Sequence, residues 1–125
     1  MTDFFFNAHA IWQYVALAAV IVALVFSFQS AMTPTAERVY RLTAVAVDIQ
    51  VALGIVLWLA ASGWNLGLLQ GWIHPLVGLA AMGVLHAYVS RARRASPEQG
   101  NKVFRTGIIL ATLLVIAAIG IGEMA

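Results

Sequence analysis

Four long apolar stretches alternate with short polar breaks along this chain. The apolar stretches run from about residue 8 to 30, 39 to 62, 72 to 91 and 104 to 122. Each approaches the roughly 20 residues that a helix needs to cross a bilayer core. The breaks between them carry turn residues: Thr33-Pro34-Thr35, Ser62-Gly63-Trp64-Asn65 and Ser96-Pro97-Glu98-Gln99-Gly100. Within each stretch the apolar residues do not alternate with polar ones, as barrel strands would require. Backbone polar groups must be satisfied inside lipid, so the pattern predicts helices. Such short connections place successive helices antiparallel. The expected fold is therefore all-α, an integral membrane four-helix up-down bundle formed by residues 1–125 as one unit. The first stretch is expected to be a retained span. The start Met1-Thr2-Asp3 lacks a basic region, and the apolar run is too long for a signal peptide.

Composition narrows the classes. Hydrophobic residues make up 62% of the 125 and charged residues only 10%, against about 25% charged in soluble domains. A soluble domain this small has too little interior to hide that much apolar surface. Cysteine is absent, which excludes disulfide scaffolds, thiolate metal sites and cysteine nucleophiles. The net charge of +2 does not indicate nucleic acid, because the basic residues sit where a membrane explains them. Arg38 and Arg41 flank the first break, and Arg91, Arg93, Arg94, Lys102 and Arg105 flank the third. These seven are all the Lys and Arg in the chain. The positive-inside rule then predicts a multi-pass protein of the inner (plasma) membrane, with those two loops cytoplasmic and both termini outside. Trp12, Trp58, Trp64 and Trp72 fall near the opposite face, where indole rings favour the interface. Gly54, Gly78, Gly83 and Gly107 are expected to let helices approach closely. No convincing short internal repeat is visible, nor any low-complexity tract beyond the apolar bias.

Ionisable residues inside spans are costly and mark candidate function. The first and third helices run in the same direction, so His9 and His74, each at the start of its helix, are expected at similar depth near the outer end. Two imidazoles on such helices can hold one haem iron from opposite sides. His86 cannot share that haem with His74. The two are twelve residues apart, roughly 18 Å along the axis and about 120° around it. No other histidine exists to build a second haem site at His86's depth, so one haem with His9 and His74 as iron ligands is expected. Gly78 and Ala81 follow His74 on its stripe, and Gln13 and Ala16 follow His9. These small or slender neighbours leave room for a flat macrocycle and make Gln13, Gly78 and Ala81 candidate cofactor contacts. Two plainer readings compete: His9 as an interfacial residue, and His74 as the start of a helix that Pro75 favours.

Asp48 to Arg94 reads DIQVALGIVLWLAASGWNLGLLQGWIHPLVGLAAMGVLHAYVSRARR. This stretch resembles the C-terminal half of the haem A synthase family. In that family a helix with a Gln-x-x-Leu-Gly-Ile-like motif leads through a short outer loop to a helix that opens on a haem-binding histidine. Gln50, Leu53, Gly54 and Ile55 match the motif, and His74 falls at the ligand position. The resemblance implies His9 as the paired ligand, since it opens the helix before the Gln-containing one. It extends over the first three helices and implies one four-helix half of a two-bundle protein. The chain departs from the family in several ways. It is half the family's length, Ala10 stands where an Arg is typical, no Glu precedes His9 at Phe5-Phe6-Asn7-Ala8, and the outer-loop cysteines are missing. A haem-binding bundle carries over; haem A synthesis does not. His74-Pro75 also resembles, more faintly, other b-type membrane cytochromes with paired histidines.

A second polar group is expected nearer the cytoplasmic face. Asp48, His86 and Arg105 come to overlapping depths and could line a quinone pocket, pass protons or form a structural clasp, with Tyr88 at its edge. The leading expectation is a membrane cytochrome holding one haem b and carrying electrons, more an electron carrier than an enzyme. Its partners would be the lipid bilayer, with quinone, a homodimer or a larger respiratory or photosynthetic complex in view, and no nucleic acid. A non-haem structural subunit of a membrane complex and a small four-span transporter using Asp48 remain open alternatives. Haem propionates would lack a cationic partner on the outer face, leaving Asn7, Asn65, Gln70 and tryptophan NH groups to serve.

Overall fold

Two of the breaks begin helices where the apolar pattern suggested loops. The Thr33 hydroxyl accepts the Ala36 N–H at 3.1 Å and the Ser96 hydroxyl accepts the Gln99 N–H at 3.3 Å. Pro34 and Pro97 occupy the first helical position, where a missing N–H costs nothing. The computed structural model describes residues 2–124. Its helices are α1 (Thr2–Ser27), α2 (Pro34–Ala60), α3 (His74–Arg94) and α4 (Pro97–Glu123), and no strand occurs among the described residues. A single 3₁₀ turn at Gly63–Asn65 and a π-helical turn at Leu69–Ile73 connect α2 to α3. Helices α2 and α4 thus start well before the apolar spans at 39 and 104. Hydropathy marks the part of a helix that lipid surrounds, whereas the caps mark where the helix begins. Four helical segments, counting Leu69–Arg94 as one, are long and apolar enough to cross a membrane.

The helices pack in cyclic order. Helix α1 lies beside α2 and α4, and α3 lies beside the same two, so α1 and α3 face each other diagonally. One end of the bundle carries the α1–α2 and α3–α4 loops with the Lys and Arg residues; it is called the basic end below. The other carries the termini and the α2–α3 connection; it is called the terminal end.

The buried positions, with partly buried Tyr88 among them, repeat along the chain. Ala16, Val20, Ala23 and Ser27 of α1 recur sixty-five positions later as Ala81, Leu85, Tyr88 and Ala92 of α3. Ala36, Tyr40, Thr43, Ala44 and Val47 of α2 recur sixty-four positions later as Gly100, Phe104, Gly107, Ile108 and Ala111 of α4. The chain is two α-helical hairpins in matching register, related by an approximate two-fold axis along the bundle. At the basic end that axis passes through the stacked rings of Tyr40 and Phe104, whose centroids are 3.8 Å apart.

Polar bonds tie the hairpins together at the basic end. Asn101 is fully buried; it accepts a hydrogen bond from the Tyr40 hydroxyl and donates to the carbonyls of Phe26 and Gln29. The Met32 N–H donates to the Pro97 carbonyl, linking the two loops at 2.9 Å. At the terminal end Ser62 takes a left-handed conformation (φ 53°) and Gly71 packs against the Gly63 carbonyl with no room for a Cβ. Trp58 covers Gly63 and meets Trp64 and Trp72 edge-on at 5.2 and 5.5 Å. Among the small residues expected to bring helices together, Gly107 packs under the Tyr88 ring and Gly54 under His9, Gly78 makes only ordinary contact with Val51, and Gly83 faces open space.

Candidate functional site

His9 and His74 meet at the terminal end, inside the ring of helices. Their ring centroids are 6.1 Å apart and their planes are nearly perpendicular, at 83°. They come from the diagonal helices α1 and α3 at positions separated by the same sixty-five residues as the buried positions of those helices. The pair therefore lies on the same approximate axis as the Tyr40–Phe104 stack, at the other end of the bundle.

Each imidazole is anchored in the same way. Nδ1 of His9 donates to the Gln50 carbonyl on α2 at 3.2 Å, and Nδ1 of His74 donates to the Ala118 carbonyl on α4 at 2.8 Å. A carbonyl can only accept, so the proton sits on Nδ1 and each Nε2 keeps its lone pair. Four residues beyond each accepting carbonyl stands a glycine. A Cβ at Gly54 would lie 2.9 Å from Cε1 of His9, and one at Gly122 would lie 3.2 Å from Cε1 of His74. Each ring thus rests on bare helix backbone. The carbonyl used on α4 lies one helical turn further along than the 64-residue register of α2 would place it, so the two anchors match in kind but not in height.

The donor set suits a haem iron. Metal-bound histidines commonly donate their second ring N–H to a carbonyl, which fixes the tautomer and orients the ring. Two imidazoles on one metal, each nitrogen about 2 Å from it, have ring centres about 6 Å apart. The same spacing also suits a direct edge-to-face contact between two free rings. Oε1 of Gln50 is buried without a hydrogen-bond partner, as is Oγ1 of Thr112. Gln13 and Gly78 are half-buried one turn inward of the pair, while Ala16 and Ala81 are 2% and 1% exposed and belong to the core. This alanine layer lies seven residues, about 10 Å, inward of the histidines and closes the interior there. Among the described residues no group of three or more His, Asp or Glu gathers in a way that could hold a metal ion.

Several polar groups expected near the outer face are already engaged. The indole N–H of Trp12 donates to the Ala46 carbonyl and that of Trp58 to the Gly71 carbonyl, each at 2.7 Å, and the Gln70 amide donates to the Ile121 carbonyl. Asn7 and Asn65 are exposed.

The second cluster holds two of its three expected members. Nε2 of His86 lies 2.7 and 2.8 Å from the two carboxylate oxygens of Asp48. The pair bridges α3 and α2 at the bundle surface, with the His86 side chain 55% and Asp48 35% exposed. Arg105 is elsewhere. Its Nε donates to the Ser27 carbonyl at 2.8 Å and its guanidinium lies 5.0 Å from the Phe28 ring centre. The last turn of α1 presents unpaired carbonyls that attract a cation, and Arg105 answers them instead of Asp48. Tyr88 packs on Gly107, with Arg91 over its ring at 5.2 Å, and does not join the pair.

Sequence reasoning matched the depths of His9 and His74 but missed Gly122, the Ala118 carbonyl and the repeated register. The spacing between buried positions was the available signal for the repeat. No family model, curated protein or solved structure matches this chain.

Proposed function

We propose that this chain is a b-type membrane cytochrome that holds one haem between His9 and His74 and carries electrons. The observation that carries this reading is the pair of neighbouring imidazoles, with ring centres 6.1 Å apart, each with Nδ1–H committed to a backbone carbonyl. Both Nε2 lone pairs are thereby left unengaged, and in this reading they hold the iron. With no cysteine in the chain, the haem would be held without thioether bonds. When bound, the haem supplies one-electron chemistry by cycling between ferric and ferrous iron. The residues do the rest. Gly54 and Gly122 let the rings seat against backbone, the two carbonyls hold ring orientation, and the alanine layer at Ala16 and Ala81 keeps water from the interior. With His9 and His74 both as ligands, no iron position would stay open, which would favour electron transfer over oxygen chemistry. The distribution of Lys and Arg supports an orientation with the basic end cytoplasmic and the histidine pair at the outer side of the inner membrane.

The test is optical. Protein purified in mild detergent should show sharp α and Soret bands on dithionite reduction. His9→Ala and His74→Ala should each abolish the low-spin spectrum, whereas His86→Ala should leave it unchanged. A wild-type protein that stays colourless after haem addition would reject the reading.

A further inference from the structure

The Asp48–His86 pair is not demanded by the fold. Its counterparts under the repeat, sixty-four and sixty-five positions away, are Thr112 and Ile21, neither of which ionises. The other hairpin face packs without such a pair. A carboxylate hydrogen-bonded to an imidazole at the surface of apolar helices is expensive, and well-packed apolar residues would serve packing at least as well. The pair lies about 10 Å beyond Arg41 along α2 and about 8 Å beyond Arg91 along α3, on the apolar side of both. A bland clasp would be buried, yet the imidazole of His86 is more than half exposed.

The surroundings give the exposed ring a purpose. His86 ends a polar groove of about 450 Å³ that also includes Glu37, Val89, Ser90, Arg93 and Arg94. Nε of Arg93 donates to Glu37 at 2.9 Å across this groove, tying α3 to α2 at the basic end. Nε2 of His86 is spent on both Asp48 oxygens, so its Nδ1 is the acceptor left for a ligand. A carboxylate behind an imidazole fixes its tautomer and orientation. The groove therefore offers one oriented hydrogen-bond acceptor, at membrane depth, beside polar side chains that lead to the aqueous end.

We propose that this α2–α3 groove binds the headgroup of a lipid-soluble hydroquinone, with Nδ1 of His86 accepting a hydrogen bond from a ring hydroxyl and Asp48 holding the imidazole in place. The choice of a redox-active ligand over another hydroxyl-bearing lipid rests on the cytochrome reading above; the binding geometry does not. The site is separate from the histidine pair, twelve residues along α3 from His74.

The chain is reconstituted in phosphatidylcholine nanodiscs and titrated with decylubiquinol under argon. Calorimetry gives the Kd, and ¹⁵N-histidine NMR places the ligand. Saturable binding that shifts the His86 Nδ1 resonance is expected, with Asp48→Asn and His86→Gln each weakening Kd at least tenfold while helical circular dichroism stays unchanged. The proposal is overturned if binding is not saturable, if Asp48→Asn binds as wild type, or if decanol moves the same resonance equally. A colourless chain that still binds decylubiquinol at His86 keeps this site and rejects the cytochrome. A red chain that does not bind it rejects this site alone.

Discussion

Gly54→Ala tests the histidine seat most directly. The added Cβ would stand 2.9 Å from Cε1, 3.4 Å from Nδ1 and 3.6 Å from Nε2 of His9. Comfortable carbon contacts begin at about 3.5 Å, so the ring must retreat by about 0.6 Å. Its hydrogen bond to the Gln50 carbonyl is already 3.2 Å long, and that retreat stretches it beyond useful geometry. Overpacking costs about 1–3 kcal/mol and the lost bond about 1 kcal/mol. Replacing a helical glycine returns about 1 kcal/mol. The net expectation is a loss of about 1–3 kcal/mol, together with a partly high-spin spectrum in haem-loaded protein. Gly122→Ala, whose Cβ would lie 3.2 Å from the His74 ring, should behave alike but more mildly. Gly83→Ala meets nothing and serves as the control. Stability is read from detergent unfolding followed by circular dichroism, and ligation from the reduced spectrum. If Gly54→Ala matched Gly83→Ala in both measurements, the seat described for His9 would be wrong.

Other substitutions probe the frame. Asn101→Ala strands the Tyr40 hydroxyl and two carbonyls at the basic end and should lower unfolding stability by about 1–3 kcal/mol, with Tyr40→Phe costing less. Thr33→Ala and Ser96→Ala each remove a helix cap and should each cost about 1 kcal/mol in the same unfolding assay. Because the chain lacks cysteine, single cysteines report topology cleanly. In intact spheroplasts a membrane-impermeant maleimide should label Asn65→Cys at once and Ser96→Cys only after permeabilisation; the reverse pattern would invert the orientation.

The spans were legible because lipid imposes a length and a polarity on them. The ends were less so, since Pro34 and Pro97 read as breaks in an apolar pattern yet act as the first residues of capped helices. The common depth of His9 and His74 followed from helix direction alone. Their anchors did not, because a side chain that bonds another helix's carbonyl leaves no mark on the accepting residue: Gln50 and Ala118 contribute only backbone. Asp48 and His86 were found by depth, but Arg105 was drawn away by the carbonyl of Ser27, a partner that carries no charge and so no sequence signature. The repeat was hidden because its halves share burial more than identity: His9 and His74 coincide, as do Ala16 and Ala81, but Tyr40 and Phe104 or Ser27 and Ala92 do not.

The segment between Ala60 and Leu69 does more than return the chain. Both hairpins run the same way, so two separate copies of one hairpin could assemble into a similar bundle. Such a dimer would be bound by its symmetry: any residue placed on one flank would recur on the other. A covalent bridge, made with the left-handed turn at Ser62 and the positive φ of Gly67, removes that constraint. It allows the flanks to diverge while the axial rings stay matched, so that Thr112 and Ile21 can stand where a strict copy would repeat Asp48 and His86. The short connection is thus what gives the molecule a distinguishable front and back within the plane of the bilayer.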